Sequence, residues 1–385
     1  MRQKQARKGF YSWALGASGL LAICAASTVQ AQTAAPALPK PTVVGSGYLN
    51  PWAIAPLPDK RFLLTERGGK LWLLDADGRK QSELQGVPKV VDAGQGGLLD
   101  VVADSQFASN RRIYFCFSEA GPQAGTNSTA LASARIAANE RQLEDVKLLF
   151  SQRPKARSNA HFGCRIAETP DGNLFLSLGD RYSQRDDAQT LNNHHGKLVR
   201  IAKDGSVPKD NPYAGRQDAL PEIYSYGHRN SQGLAVAADG SLWQHEHGPQ
   251  GGDEINRPQP GKNYGWPVIT YGEEYGGGKI GEGTQKAGME QPLHYWVPSI
   301  APSGMDFVTS DRYGPAWKGS LLVGGLKSRS VAQLAVKDGK VTGEKRLYES
   351  LGERIRDVRQ GADGLVYLLT DGPDGKLIRL VPSGS

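Results

Sequence analysis

Short runs of alternating apolar and polar residues, each entered through a polar turn, recur along this chain. They read LPDKRFLLTERGGKLWLLDADG (57–78), DSQFASNRRIYFCFSE (104–119), TPDGNLFLSLGD (169–180), AADGSLWQHEHG (237–248), YGPAWKGSLLVGGL (313–326) and GADGLVYLLTDGPDGKLIRL (361–380). Turn dipeptides such as Asp-Gly followed by short runs of period two predict β-hairpins. Amphipathic helical periodicity is nearly absent; 139–150 offers only a short mixed segment. The chain is therefore predicted to be all-β. Six such units suit a radial repeat, in which each sheet buries both faces against its neighbours and little edge is exposed. Two sandwiches in tandem are the competing arrangement, but no linker-like shift in composition separates two halves. The Gly- and Pro-rich stretch 248–292 is the longest expected loop excursion.

The first 31 residues differ from the rest. Arg2, Lys4, Arg7 and Lys8 form a basic start with no acid among them, 13–26 is apolar, and Val29-Gln30-Ala31 places small residues where a signal peptidase reads. The apolar run is too short to span a bilayer comfortably. Residues 1–31 are accordingly predicted to be a signal peptide, and 32–385 the mature domain, exported to a bacterial periplasm. Losing those four cations lowers the formal charge from +7 to +3. No basic stripe with interleaved aromatics speaks for nucleic acid, and no stable membrane insertion is expected. Cys116 and Cys164 lie in strand-like runs that could be neighbours in one sheet. An oxidising compartment permits a bridge, yet two buried free thiols fit the sequence equally well.

Chemistry concentrates in 227–256, GHRNSQGLAVAADGSLWQHEHGPQGGDEIN, and in NYGWP at 263–267. Here a strand pattern at 242–247 is bracketed by loops dense in glycine, poor material for a core because glycine loses the most entropy on ordering. Such loops suit close approach of backbone to a ligand or metal. Together with GQGGLLDVV (94–102), HFGCR (161–165), LSLGD (176–180), GGLKSRSV (324–331) and RIRDV (354–358), these words stand in the order and spacing of a known family. The chain resembles the soluble glucose dehydrogenases and aldose sugar dehydrogenases that use pyrroloquinoline quinone (PQQ). The resemblance covers nearly the whole mature chain.

That resemblance implies a six-bladed β-propeller whose long loops form the active-site face. It also implies PQQ and two calcium ions, one at PQQ and one structural. By the same resemblance His161 is the base that takes the C1 hydroxyl proton of an aldose, Asp180 the acid that orients it, and Arg229 the cation over the quinone oxygen. Gln95, Arg229, Asn230, His247, Lys327, Arg354 and Arg356 would line the cofactor pocket. PQQ carries three carboxylates and demands cations; Arg354 and Arg356, two apart on a strand, point to one side. Calcium prefers oxygen ligands, carbonyls included. Gly248 and Pro249 match the carbonyls offered to the cofactor's ion, and Glu254 and the Tyr264 carbonyl match the structural site. His245-Glu246-His247 is a weak zinc candidate, since strand neighbours face opposite ways.

Two departures stand out. His247 replaces a glutamine of the glucose enzymes, and Ala160 replaces an acid just before the base; Tyr295 and Trp296 align only loosely with the substrate-covering aromatics. The implied activity is oxidation of an aldose to its lactone, with electrons passing to a quinone, cytochrome or dye, by a monomer or homodimer. A catalytically silent propeller that binds a glycan or protein is the alternative. A calcium-dependent lactonase would need a ring of acids that these motifs do not supply.

Overall fold

In the computed structural model, Gly9 and residues 37–383 are described, so the expected signal peptide lies almost wholly outside the described residues. Residues from Leu38 onward form one compact unit. It contains six four-stranded antiparallel sheets. Blade 1 comprises Pro51–Pro56, Phe62–Glu66, Lys70–Leu74 and Lys80–Glu83. Blade 2 comprises Leu98–Ala103, Arg112–Ala120, Asn127–Ile136 and Leu143–Ser151. Gly163–Glu168, Asn173–Leu178, Lys197–Ala202 and Ile223–Tyr226 make blade 3. Ser231–Val236, Leu242–Glu246, Asp253–Asn256 and His294–Trp296 make blade 4. Pro302–Phe307, Leu321–Gly325, Ser330–Lys337 and Lys340–Leu347 make blade 5. In blade 6, Ile355–Gln360, Val366–Thr370 and Gly375–Val381 are completed by Lys40–Tyr48 from the other end of the chain.

The six sequence phrases map one to a blade. Each covers the turn between the first two strands and the second strand itself. At 239–241, for instance, Asp239 Oδ1 accepts from the Ser241 N–H at 2.9 Å and its hydroxyl at 2.6 Å, while Gly240 takes φ 79°. Glycine meets that left-handed geometry without a Cβ penalty. The mixed segment at 139–150 contributes the outer strand Leu143–Ser151, most of whose central residues are exposed. With water on both faces it had no reason to alternate.

First strands of successive blades touch in a closed ring, with blade 6 returning to blade 1. Apolar side chains fill the spaces between blades: Trp52, Leu99, Phe115, Leu131, Ile166 and Leu176 belong to one cluster running through blades 1 to 3. Cys116 and Cys164 form a disulfide, Cα atoms 5.9 Å apart. They sit in adjacent blades, not in one sheet, so the bridge staples blade 2 to blade 3. Because strands alternate in direction, the start of every first strand and the end of every second strand meet at one end of the channel. The sites described next are built there.

Candidate active site

His161 precedes the first strand of blade 3, and Asp180 follows the second. Gly179 makes the approach possible, since a Cβ there would stand 2.0 Å from the His161 carbonyl. His161 has φ 51° and donates its N–H to Gln95 Oε1 at 2.8 Å. Its Nδ1 lies 2.6 Å from Asp180 Oδ1. That carboxylate also accepts the Tyr182 N–H on Oδ1 at 2.8 Å and the Trp266 indole N–H on Oδ2 at 2.7 Å. Burial pulls Asp180 upward, but the His161 hydrogen bond and the charges of His161 and Arg229 prevail and hold it below its usual value. Burial, opposed by Asp180 and helped by Arg229 and Arg181, leaves the imidazole below its usual value too. An ionised Asp180 keeps the proton on Nδ1, so Nε2 offers its lone pair to the pocket that the ring lines.

That pocket, about 270 Å³, is bounded by His161, Asp180, Tyr182, Arg185, Arg229 and Tyr275. Tyr182 stands edge-on to the imidazole at 5.2 Å. Arg185 and Glu274 form a half-exposed ion pair at 2.6 Å between two loops of the pocket wall. The Arg229 guanidinium donates through Nη1 to the carbonyls of His247 and Gly248, at 3.2 and 2.8 Å, and lies 5.3 Å from the Trp266 ring. Its Nε is buried with no hydrogen-bond partner. A buried donor left unpaired in this way suits an acceptor that arrives with a ligand.

Next to it, all six blades contribute to a second pocket of about 380 Å³, lined among others by Gln95, Asn230, His247, Arg354 and Arg356. Arg354 and Arg356 do share a side: both reach Asp371, at 2.9 and 3.0 Å. Burial, resisted by Asp371, lowers Arg356. Asn230 Oδ1 accepts the Gly163 N–H at 3.3 Å. Burial also keeps the His247 imidazole below its usual value, and its Nε2 meets the Pro302 carbonyl at 2.5 Å. Lys327 is not among the lining residues; it stands exposed next to Leu326, which is. Arg67, absent from the sequence argument, lines the pocket with a buried, unpartnered Nε. Several guanidiniums against one Asp371 give a pocket fit for a planar polyanion.

Oxygen donors for a hard cation lie alongside. Gly248 donates its N–H to Asp253 Oδ1 at 2.9 Å, and Asp253 Oδ2 accepts from Ser299 Oγ and the Ile300 and Ala301 N–H groups at 2.7 to 3.0 Å. The carboxylate thus pins the 248–253 loop while the Gly248 carbonyl faces Arg229. Pro249 lines the smaller pocket. Glu254 pairs in register with Glu246, and Asn256 Nδ2 bridges them at 3.4 and 3.2 Å. Burial and the Glu246 charge push Glu254 well above its usual range. Two facing carboxylates with Tyr264 beside them fit a divalent oxygen-liganded ion, which would relieve that repulsion. Among the described residues no cluster of three or more His, Cys, Asp or Glu offers metal-binding geometry. His245 turns away to the Ser303 carbonyl, which disposes of a His-Glu-His zinc site.

Sequence reasoning missed Trp266, Asp371 and Arg67, and weighed Glu246 only as a zinc ligand. Trp266 lies inside NYGWP and Arg67 inside the repeat phrase 57–78, but nothing in the sequence showed which distant group each would face.

Comparison with known proteins agrees with this architecture. A family model described as glucose/sorbosone dehydrogenase matches residues 48–379. Aldose sugar dehydrogenase YliI of Escherichia coli K12 is 44% identical over 364 residues, spanning 94% of this chain and 96% of that protein. A crystal structure of a glucose dehydrogenase superposes with TM-score 0.87 at 45% identity, covering 90% of this chain and all of the other. The PQQ-bound aldose sugar dehydrogenase of Streptomyces coelicolor gives 0.73 at 29% identity, covering 90% and 99%.

Proposed function

We propose that this chain, which belongs to the glucose/sorbosone dehydrogenase family, oxidises aldoses at C1 to the lactone with PQQ and calcium. The observation that carries the reading is the buried His161–Asp180 pair set beside Arg229, at the edge of an arginine-lined pocket made by six blades.

An aldose enters the smaller pocket with its C1 hydroxyl toward His161 Nε2, which accepts the proton. Asp180 holds Nδ1–H and stabilises the imidazolium that forms, so the ring stays in one tautomer and one orientation. Because burial keeps the free imidazole below its usual value, His161 is neutral and ready to accept at pH 7. Bound PQQ supplies the two-electron acceptor for the C1 hydride, with its calcium as Lewis acid. Arg354, Arg356, Gln95 and Asn230 would hold its carboxylates and rim, with His247 beside them; Lys327, exposed beside the lining residue Leu326, is the further cation that the family resemblance implies. Gly248 and Pro249 would lend carbonyls to the adjacent ion, Glu254 and the Tyr264 carbonyl to the structural one. Arg229 is the cation nearest the base and the natural partner for an oxygen that gains charge. Export to the periplasm is supported by the basic-apolar leader and by the Cys116–Cys164 bridge, which suits an oxidising compartment. Reduced equivalents would leave to a quinone, cytochrome or dye. Among the described residues no helix is long and apolar enough to cross a membrane.

The test is reconstitution. Purified protein stripped of cofactor is given PQQ and Ca²⁺, and dye reduction is followed with a panel of aldoses. Saturable turnover that needs PQQ supports the reading; no PQQ binding at micromolar concentrations overturns it.

A further inference from the structure

Trp266 belongs to a loop far from His161 in sequence, yet it touches both sides of the chemistry. Its main chain is anchored first: its N–H donates to the Gly227 carbonyl at 2.9 Å, and its own carbonyl accepts from Gln189 Nε2 at 2.7 Å. The indole, nearly buried, then reaches Asp180 Oδ2 with its N–H at 2.7 Å. The ring lies 5.3 Å from the Arg229 guanidinium, within cation–π range. Asp180 therefore spends Oδ1 on His161 and the Tyr182 N–H, and Oδ2 on Trp266. A carboxylate whose Oδ2 is released can turn about its Cβ–Cγ bond, and the imidazole with it.

We propose that Trp266 is a positioning residue for the dehydrogenation. Its indole N–H locks Asp180, its ring seats Arg229, and base and cation are thereby held at one setting. The proposal rests on reading His161 as the base. It predicts a specific electrostatic consequence. With the indole donor gone, Asp180 shares less of its charge, and the His161–Asp180 pair binds its proton more tightly. The groups that face this pair are Arg229, Arg181, Arg185 with its partner Glu274, Tyr182 and His247. The isostere named below keeps a bicyclic ring against Arg229, so a shift shared by both variants reports the lost indole donor.

The test uses full-length mature protein with Trp266→Phe, and with the isostere β-(3-benzothienyl)alanine at 266, which keeps the shape and removes only the donor. Histidine NMR in the cofactor-free protein follows the His161 titration, and steady-state kinetics with PQQ and Ca²⁺ follow turnover. The expected result is a His161 titration moved to higher pH in both variants. With it, kcat falls about tenfold, about 1.4 kcal/mol of barrier, while KM changes by less than about threefold. An unmoved titration with only a lowered melting temperature overturns the proposal, because packing alone would then be the role. A shifted titration in a protein whose wild type oxidises no aldose keeps the coupling and removes the dehydrogenase reading instead.

Discussion

Replacing Arg165 by methionine should cost this protein about 3–5 kcal/mol at neutral pH, the usual cost of stripping one partner from a buried ion pair. Arg165 is 1% exposed, and its Nη1 lies 3.2 Å from Asp100 and 3.1 Å from Asp357, both fully buried. Only Arg359 would then remain for the two carboxylates, at 3.2 and 3.3 Å. The four side chains come from the first strands of blades 2, 3 and 6, and Asp357 also accepts the Ile54 N–H of blade 1 at 3.1 Å. The network thus bolts the ring where it closes. Burial already raises Asp100 against the pull of Arg165 and Arg359. Without Arg165 it rises further, so the native state binds more protons than the unfolded chain above the ordinary aspartate range. Stability of the variant then falls as pH rises through that window and recovers on acidification. Paired calorimetry and guanidinium titrations at pH 7 and pH 5 should show the deficit at its largest at pH 7. For a domain this large it corresponds to a melting point lower by roughly 4–7 °C. A loss below about 1 kcal/mol, or a deficit that grows toward pH 5, refutes the reasoning.

Three further outcomes follow from the same geometry. Asp180→Asn replaces the charged, acceptor-only carboxylate that fixes the His161 tautomer by a neutral amide, so kcat should fall by roughly 10²–10⁴ with KM little changed; parity with wild type in steady-state assays would remove Asp180 from the mechanism. In the wild type, burial puts the His161 titration below the usual histidine value, so kcat/KM should be flat through neutrality and decline only as pH falls below about 6.5; an acid limb centred above pH 7 would contradict this. The Cys116–Cys164 bridge spans 48 residues, and a Cys116→Ser/Cys164→Ser variant should lose at most about 4 kcal/mol in denaturant titration by loop entropy; unchanged stability would mean the bridge constrains nothing.

The fold was legible because each blade repeats one local grammar, a polar turn and a short, largely buried second strand, and local grammar survives in sequence. Outer strands such as Leu143–Ser151 were not, since solvent on both faces erases alternation. The same division runs through the site. His161, Asp180, Arg229, Arg354 and Arg356 sit at strand ends inside compact words, and the structure gathers them as those words implied. Their partners do not share that locality. Asp371 closes on two arginines and Trp266 on Asp180 across 15 to 86 residues of chain, so only the closed ring reveals them. Lys327 differs from them: its word is present, and its side chain stands exposed outside the pocket lining. Asp100, Arg165 and Asp357 lie within GQGGLLDVV, HFGCR and RIRDV, so part of what those words preserve is a bolt for the propeller as well as a pocket.

The central claim is that His161 takes the substrate proton, and stopped-flow reduction of PQQ- and Ca²⁺-loaded protein by an aldose tests it most directly. Wild type and His161→Ala should bind PQQ equally, while reduction in the variant slows by roughly 10²–10⁴, the usual contribution of a general base. A variant that binds PQQ and is reduced at the wild-type rate would contradict the account.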